Sequence, residues 1–237
     1  MNRFFTEDIA GDTARITGED VRHIARVLRL RPGDGVVLCD GRVREYTAVI
    51  ERIGETEVVC RLGPGRPSPA EPAHRVTLFQ ALPKSGKMET IVQKCVELGV
   101  FAVAPVVTAR CVALPTKEFE KKRLRYQRVA LEAAKQSRRG IVPEVLGVQA
   151  LSAVDFSGFD TALVAYENER ERSLKEALRG GAGGRIALVV GPEGGFEEGE
   201  AADLARRGVV AVSLGARILR TETAGMAMLA QVLYELE

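Results

Sequence analysis

The fold is decided by residues 186–226, which read IALVVGPEGGFEEGEAADLARRGVVAVSLGARILRTETAGM. Two short apolar runs lie in this stretch, Ile186–Val190 and Val209–Leu214, and a turn of small residues follows each run at once. Continuous apolar runs of this length are typical of buried strands in a parallel sheet. Because open α/β sheets bind ligands at the carboxyl ends of their strands, the stretch predicts a ligand-binding edge.

The chain from Arg75 onward alternates between candidate strands and candidate helices. The predicted strands are Val76–Leu82, Phe101–Val107, Thr161–Ala165, Ile186–Val190 and Val209–Leu214, with a minor strand at Val145–Val148. The predicted helices are Lys87–Leu98, Lys117–Arg139, Glu169–Arg179, Glu197–Arg207 and Glu222–Leu236. Short apolar strands separated by helices predict an α/β fold, in which helices cover both faces of a mostly parallel sheet.

The first 62 residues have a different pattern, rich in strands and with one helix. The predicted strands are Thr13–Thr17, Gly35–Asp40, Val43–Ile53 and Glu55–Leu62. Thr17–Asp20 resembles a capping box that opens a helix through about Leu30. Gly63–His74 holds four prolines, which predicts a stiff linker. We therefore expect two domains, residues 1–70 and residues 75–237.

The charge of the chain is unevenly distributed, although the net charge is only +2. Residues 75–140 carry 14 Lys and Arg against 5 acidic residues, and the helix candidate Lys117–Arg139 carries nine of them. Arg22, Arg26 and Arg29 form a further stripe on the N-terminal helix. Such positive surfaces suit a polyanionic partner, while the other interpretation is a set of solvated helix faces. Helix capping alone does not require so many cations, which favours a nucleic-acid face.

Several common classes of site are excluded or disfavoured. Pro83–Met88 resembles a phosphate loop, but Ala81 and Met88 stand where that motif needs Gly and Ser or Thr. The sequence contains neither a G-x-G-x-x-G nor a G-x-S-x-G motif. The four cysteines and two histidines do not have metal-ligand or disulfide-scaffold spacing, so we expect no metal site. No signal peptide or membrane-spanning run is recognisable, so we expect a cytoplasmic protein.

The loop Leu214–Ala224 has the composition of a pocket. Its apolar pair, Ile218 and Leu219, would be unusual in a merely solvated loop. A pocket in which apolar residues form the wall and Arg220, Glu222 and Thr223 supply polar groups would explain it. The glycine-rich turn Gly191–Gly195 allows either a close approach to a ligand or simply a tight turn, and both interpretations remain open.

These motifs resemble those of a known family. GPEGGF at Gly191–Phe196 and LGARILRTETA at Leu214–Ala224, separated by one βα unit, are similar to the ribosomal RNA small subunit methyltransferase E family of SPOUT methyltransferases. Further similar segments are Arg3–Phe5, His23–Arg29, and Lys84, Lys87 and Lys94–Gly99. The sequence departs from the family's pattern at Lys135, where Glu is common.

The resemblance implies a fold, a reaction and partners. It implies an N-terminal PUA-like β-barrel, and a C-terminal domain with a trefoil knot that holds S-adenosyl-L-methionine. It implies a homodimer that methylates N3 of a uridine in 16S rRNA, within the 30S subunit. The alternatives are a SPOUT methyltransferase acting on a different RNA site, and a non-enzymatic RNA-binding module.

The resemblance and the loop chemistry together give three sets of expected site residues. Those expected to bind the cofactor are Gly191, Pro192, Glu193, Gly194, Leu214, Gly215, Ile218, Leu219, Arg220, Thr223 and Ala224. Those expected in catalysis are Arg220, as stabiliser of the anionic uracil, and Glu193 or Glu222, as candidate bases. Those expected to contact RNA are Arg3, Arg22, His23, Arg26, Arg29, Lys84, Lys87, Arg138 and Arg139.

Overall fold

The computed structural model describes all residues except Ser85 and Lys117. The chain divides into two compact units, Met1–Glu71 with Ala134–Val142, and Pro72–Ala133 with Pro143–Glu237. The predicted domains, residues 1–70 and 75–237, did not include the return of Ala134–Val142 to the first unit. That segment is held there by the Glu71 carboxylate, which accepts hydrogen bonds from the backbone N–H groups of Gly140 and Ile141.

The first unit is built on a six-stranded sheet with the order β1-β4-β5-β6-β3-β2. Its strands are β1 Arg3–Phe5, β2 Ile9–Ala10, β3 Thr13–Thr17, β4 Gly35–Cys39, β5 Arg44–Ile53 and β6 Glu57–Pro67. Only the β1–β4 pairing is parallel. Apolar side chains that alternate along these strands form its core, including Phe4, Ile16, Leu38 and Ile50.

Strand β6 extends into the predicted linker Gly63–His74. Its ladder with β5 continues as far as the pairing of Arg44 with Pro67. Glycine makes this possible at position 65, because a Cβ there would lie 2.4 Å from the ring of Tyr46. The proline content alone did not reveal that a neighbouring strand pairs with this segment.

The N-terminal helix is shorter and less regular than predicted. Helix α1 spans Glu19–Arg22 and continues as one π-helical turn, His23–Val27. Its N-cap is Gly18, and no side chain caps it, so the predicted capping box is wrong. Arg29 lies beyond the helix with φ of 54°, and the predicted stripe of three arginines on one helix face therefore does not form.

The second unit contains a seven-stranded, wholly parallel sheet, ordered β10-β8-β7-β12-β11-β13 with β9 paired to β8. Its strands are β7 Arg75–Ala81, β8 Ala102–Val107, β9 Glu144–Val145, β10 Gln149–Ala150, β11 Thr161–Ala165, β12 Arg185–Val190 and β13 Val210–Val212. Its helices are α2 Lys87–Leu98, α3 Phe119–Gln136, α4 Leu174–Leu178, α5 Glu198–Arg206 and α6 Thr221–Leu236. The predicted α/β class is confirmed, whereas the trefoil knot stays a prediction.

Helices and loops cover both faces of this sheet, as expected for near-continuous apolar strands. On one face, Phe79 and Val189 pack in a cluster with Phe156 and with Leu204 of α5. On the other face α6 packs so closely that a Cβ on Gly225 would lie 3.3 Å from Leu78. The sheet is thereby a rigid support for the loops at its edge.

Two further predicted helices differ from the observed ones by more than one residue at an end. The helix predicted at Glu169–Arg179 is only Leu174–Leu178, because Glu169 accepts the backbone N–H groups of Glu171 and Arg172 and closes a turn. Ser173 then caps α4. The helix predicted from Lys117 begins at Phe119, and Lys117 itself lies outside the described residues.

Candidate active site

A cavity of about 1030 Å³ opens at the carboxyl ends of three adjacent strands, β12, β11 and β13. Its walls are the loops that follow these strands, together with the first turn of α6 and the side chain of Lys87. Parallel strands place all three loops on the same edge of the sheet, where α/β proteins bind ligands. The edge predicted from residues 186–226 therefore carries a cavity large enough for a nucleoside-sized ligand.

The turn after β12 requires glycine at two positions. A Cβ on Gly191 would lie 2.9 Å from the ring of Phe196. Gly195 has φ of +67°, and a Cβ there would lie 2.0 Å from Oε1 of Glu167. Because neither position carries a side chain, the backbone of the turn borders the cavity directly. The turn is therefore both tight and closely packed.

Two consecutive buried hydrogen bonds connect the same turn to α6 and to β7. Thr221, the first residue of α6, donates its hydroxyl hydrogen to the carbonyl oxygen of Gly191 over 2.6 Å. Gln80 on β7 donates from Nε2 to the Thr221 hydroxyl over 2.8 Å. Both side chains are buried. Sequence reasoning missed this pair, although a glutamine within an otherwise apolar strand is a signal for such a role.

Lys87 lies between two of the predicted catalytic carboxylates. Its Nζ is 3.0 Å from Oε1 of Glu193 and 3.1 Å from Oε2 of Glu222. Glu193 Oε1 also accepts the backbone N–H of Lys84 over 3.0 Å. We refer to Lys87, Glu193 and Glu222 as the lysine cluster. It joins the start of α2, the turn after β12 and the start of α6.

The lysine cluster disfavours the two glutamates as general bases. Burial acts to raise the pKa of Glu193, but the hydrogen bonds from its own backbone N–H, Lys87 and Lys84 outweigh it and lower that pKa. The pKa of Glu222 is lowered by its own backbone N–H and by Lys87. Hydrogen bonds to both carboxylates raise the pKa of Lys87. Carboxylates held in the ionised form are poorer proton acceptors than ordinary glutamates.

The cavity brings together most of the residues expected to bind the cofactor. The predicted residues that line it are Gly191, Pro192, Glu193, Leu214, Gly215, Ile218, Leu219, Arg220 and Ala224. Gly194 instead lies against Arg110, whose guanidinium donates to its carbonyl oxygen over 3.1 Å. Thr223 is exposed on α6 outside the lining.

One wall of the cavity was not predicted from the sequence. It is the loop after β11, which contributes Tyr166, Glu167, Glu169, Arg170, Glu171 and Ser173. The prediction of a helix over Glu169–Arg179 obscured it. The run of acids alternating with arginines, with no apolar face, is the signal that argued against a helix there.

The residues expected to contact RNA divide into exposed and buried groups. The exposed ones are Arg22, His23, Arg26, Arg29, Lys84 and Arg138. The Arg3 side chain is 10% exposed and pairs with Glu45 over 2.7 Å. Arg139 is buried and pairs with Glu71 over 2.7 Å, and Lys87 is partly buried in the lysine cluster. Buried guanidinium groups with carboxylate partners stabilise the first unit, and this placement contradicts phosphate contact by Arg3 and Arg139.

Lys135, which departs from the family's pattern, forms an ion pair with Asp20. The distance from its Nζ to the Asp20 carboxylate is 2.8 Å, and both side chains are about four-fifths buried. The pair ties the C-terminal end of α3 to the start of α1 within the first unit. The lysine thus has a structural partner of opposite charge.

The described residues contain no group of three or more side chains arranged to hold a metal ion. Among the same residues, no helix is long and apolar enough to cross a membrane.

Comparison with known proteins identifies the class of this site. A model of the RNA methyltransferase domain matches residues 69–233, and a model of the RNA methyltransferase PUA domain matches residues 16–63. The parallel sheet, its edge cavity and these two matches define the chain as an RNA methyltransferase with a PUA domain.

Individual relatives narrow the class to one family. The chain is 35% identical to ribosomal RNA small subunit methyltransferase E of Bacillus subtilis over 250 residues, covering 100% of this chain and 98% of that one. It is 36% identical to the Mycobacterium tuberculosis protein of the same name, covering 94% of this chain and 86% of that one. The chain belongs to the ribosomal RNA small subunit methyltransferase E family.

Solved structures agree with this assignment. The Neisseria gonorrhoeae ribosomal RNA small subunit methyltransferase E, bound to S-adenosyl methionine, matches with a TM-score of 0.86 and 32% identity over 98% of this chain and 96% of that one. A Legionella pneumophila putative methyltransferase in complex with the same cofactor matches with a TM-score of 0.81 and 29% identity, over 97% of this chain and 96% of that one.

Proposed function

We propose that this protein transfers a methyl group from S-adenosyl-L-methionine to N3 of a uridine in 16S rRNA, within the 30S subunit. The observation that carries the proposal is the cavity at the ends of β12, β11 and β13, which the family's two C-terminal motifs line. S-adenosyl-L-methionine supplies an electrophilic methyl group on a sulfonium sulfur. Family membership supports the choice of ribosomal RNA as the substrate.

The residues of the cavity fit this cofactor. Val190, Phe196 and Leu219 offer apolar surface for a nucleoside. Glu167 and Glu169 offer negative charge for a ligand that carries a sulfonium and an ammonium group. The lack of a side chain at Gly191 lets the backbone of the turn line the cavity directly.

Arg220 is the residue we assign to the uracil. It lies on the cavity wall and immediately precedes α6. N3 of uridine carries a proton, and loss of that proton leaves negative charge on the ring. A guanidinium group stabilises such charge by electrostatic attraction and hydrogen bonding. Because Glu193 and Glu222 pair with Lys87, we assign the N3 proton to solvent rather than to either carboxylate.

We assign RNA delivery to the exposed cations of the first unit. Arg22 and Arg26 lie on the α1 segment, and Arg138 lies at the end of α3. The Asp20–Lys135 ion pair holds these two segments of the first unit together. Exposed arginines suit phosphate contacts, which supply most of the sequence-independent affinity for RNA.

A calorimetric titration with S-adenosyl-L-methionine separates the enzyme from a non-enzymatic RNA-binding module. We expect one site per chain, with binding weakened by Gly195→Ala and unchanged by Gly199→Ala, since a Cβ at Gly199 meets no atom within 4 Å. No binding by the native protein contradicts the proposal. Methyl transfer to unmethylated 30S subunits, compared with free 16S rRNA, then identifies the substrate.

We also propose that the protein acts as a homodimer in the cytoplasm, where 30S subunits are assembled. Large exposed apolar side chains support a subunit interface in the second unit, with Ile218 88% and Tyr234 85% exposed. Sedimentation equilibrium tests this: the expected mass is twice 25.7 kDa, and a monomer at micromolar concentration contradicts it.

A further inference from the structure

The lysine cluster has a charge arrangement that does not fit contact with an RNA phosphate. Two carboxylates, Glu193 and Glu222, lie against Lys87 Nζ at 3.0 and 3.1 Å. A phosphate approaching Lys87 would meet both of these negative charges at once. Lys84, three residues earlier and exposed, is the better candidate for a phosphate.

The position of Lys87 is also unfavourable for its helix. It is the first residue of α2, where the partial positive charge of a helix N-terminus repels a cation. The two carboxylates offset this repulsion and hold the ammonium group at the cavity wall, with only 29% of the Lys87 side chain exposed. They also raise the pKa of Lys87, so the group stays charged at neutral pH.

An ammonium group in this position has a hydrogen to donate into the cavity. Lysine carries three N–H donors; one is donated to Glu193 over 3.0 Å, while Glu222 lies 3.1 Å away as an ion-pair partner. The ammonium group is attracted to the anion that uracil becomes. Because the ring spreads its single charge over N3 and two carbonyl oxygens, one carbonyl oxygen meets less repulsion from Glu193 and Glu222 than a phosphate does. Arg220 lies on the same cavity wall and immediately precedes the helix that carries Glu222.

We propose that Lys87 is a catalytic residue for the methyl transfer, in which its ammonium group donates a hydrogen bond to a uracil carbonyl oxygen beside N3. There it stabilises the negative charge that the ring carries once N3 has lost its proton. The assignment rests on the proposed function. It replaces the expected phosphate contact by Lys87, and it gives Glu193 and Glu222 the role of holding Lys87 in place.

In the methyl transfer, bonds break and form at N3, at the methyl carbon and at sulfur. The N3–H bond breaks, the proton passes to solvent, and the electron pair stays on the ring. That pair forms the bond from N3 to the methyl carbon. The bond from the methyl carbon to sulfur breaks and leaves its electrons on sulfur, which becomes a neutral thioether. Lys87 remains protonated throughout.

The test compares Lys87→Met with Lys175→Met, which removes an exposed lysine of α4 that pairs with Glu235 over 3.3 Å and does not line the cavity. We expect Lys87→Met to lower kcat on 30S subunits about 100-fold, the typical effect of removing one donor to a developing anion. Its Kd for S-adenosyl-L-methionine and the slope of log RNA affinity against log salt should stay at native values. Lys87→Arg, which keeps the cation, should recover part of the rate, and Lys175→Met should keep native kcat.

Three outcomes overturn the proposal. A kcat within about threefold of native for Lys87→Met means that the ammonium group does not act on the uracil. A salt slope reduced by about one, with kcat retained, means a phosphate contact. A loss of cofactor binding that Lys87→Arg does not restore means a purely structural role. If the native protein itself forms no N3-methyluridine, the proposed function fails, and the role of Lys87 fails with it.

Discussion

At the scale of single residues, the cavity depends on positions where a side chain would not fit. Gly195 combines a left-handed backbone with a distance of 2.0 Å from a built Cβ to the Glu167 carboxylate. A non-glycine residue in that conformation costs on the order of 1 kcal/mol before any clash. The exposed Glu167 side chain must also rotate away from its place beside the turn if a methyl group is added.

We expect Gly195→Ala to weaken binding of S-adenosyl-L-methionine by about tenfold or more, because the turn and Glu167 both shift. Gly199→Ala in α5 is the matched control, since its Cβ would meet no atom within 4 Å. Calorimetry measures both affinities. Native affinity in Gly195→Ala would show that the turn does not border the cofactor.

Arg220→Ala should abolish methyl transfer while leaving cofactor affinity close to native, because the guanidinium acts on the uracil anion. Arg206→Ala is the control, as Arg206 lies on α5 and pairs with Asp203 over 2.9 Å. Steady-state kinetics and calorimetry give the two quantities. Activity within about tenfold of native, roughly 1.4 kcal/mol of barrier, contradicts the role.

The buried pair of Arg3 and Glu45 predicts a pH effect on stability. Burial acts to raise the pKa of Glu45, but hydrogen bonds from Arg3 and Arg66 outweigh it, so the folded-state pKa is lowered. The pair therefore contributes stability above the ordinary pKa of glutamate, and that contribution is lost as pH falls through the lowered value.

Urea denaturation at several pH values tests this effect. We expect the free energy of unfolding of Glu45→Gln to lie below native at neutral pH, and the difference to narrow as pH falls below about 4. A difference that stays constant down to acidic pH would mean that the ionised carboxylate of Glu45 does not stabilise the fold.

Site residues that lie close together in the sequence could be predicted, whereas contacts between distant residues could not. Residues within one loop, such as Ile218 and Arg220, were predicted because their loop alone has the composition of a pocket. Glu71 and Arg139 lie 68 residues apart, and sequence spacing does not reveal that two such charges meet. The family's motifs likewise placed Lys87 among the RNA contacts, because only the fold brings Glu193 to it.

At the scale of elements, the end of α3 carries two adjacent arginines with opposite placements. Arg138 is exposed with φ of 63°, whereas Arg139 is buried, and its guanidinium donates to both oxygens of Glu71. The sharp turn after α3 sends the first side chain outward and the second inward. Neighbouring arginines therefore have separate roles.

These placements predict that one substitution affects stability and the other affects RNA binding. Arg139→Ala should lower the free energy of unfolding by about 3 kcal/mol, because the Glu71 carboxylate, only 9% exposed, loses its charged partner and keeps backbone N–H donors. Arg138→Ala should leave stability unchanged but reduce the salt slope of RNA binding by about one. Denaturation and filter binding at several salt concentrations measure the two effects. The reverse pattern would contradict the assignment.

Elements were predicted best where apolar periodicity determined them. Helix α2 and strand β11 have the predicted bounds, because buried apolar faces leave little choice. The prediction was wrong where local polar contacts decide, as at Glu169, whose carboxylate closes a turn. It was also incomplete at the linker, because pairing of β6 with β5 is a long-range contact.

At the scale of the whole molecule, each unit has its own part in the proposed reaction. The first unit presents exposed arginines, and the second unit holds the cavity and the lysine cluster. The basic surplus of residues 75–140 is partly used in ion pairs, such as Arg125 with Glu89 over 2.9 Å. The net charge of residues 75–140 therefore overestimates the positive charge that remains available to attract RNA.

Identification of the modified base tests the proposed reaction most directly. Unmethylated 30S subunits are incubated with the protein and S-adenosyl-L-methionine, and the 16S rRNA is digested and analysed by mass spectrometry. We predict one N3-methyluridine per subunit, formed by the native protein and absent with Arg220→Ala. Methylation at another atom or base, or no methylation at all, would contradict the central claim.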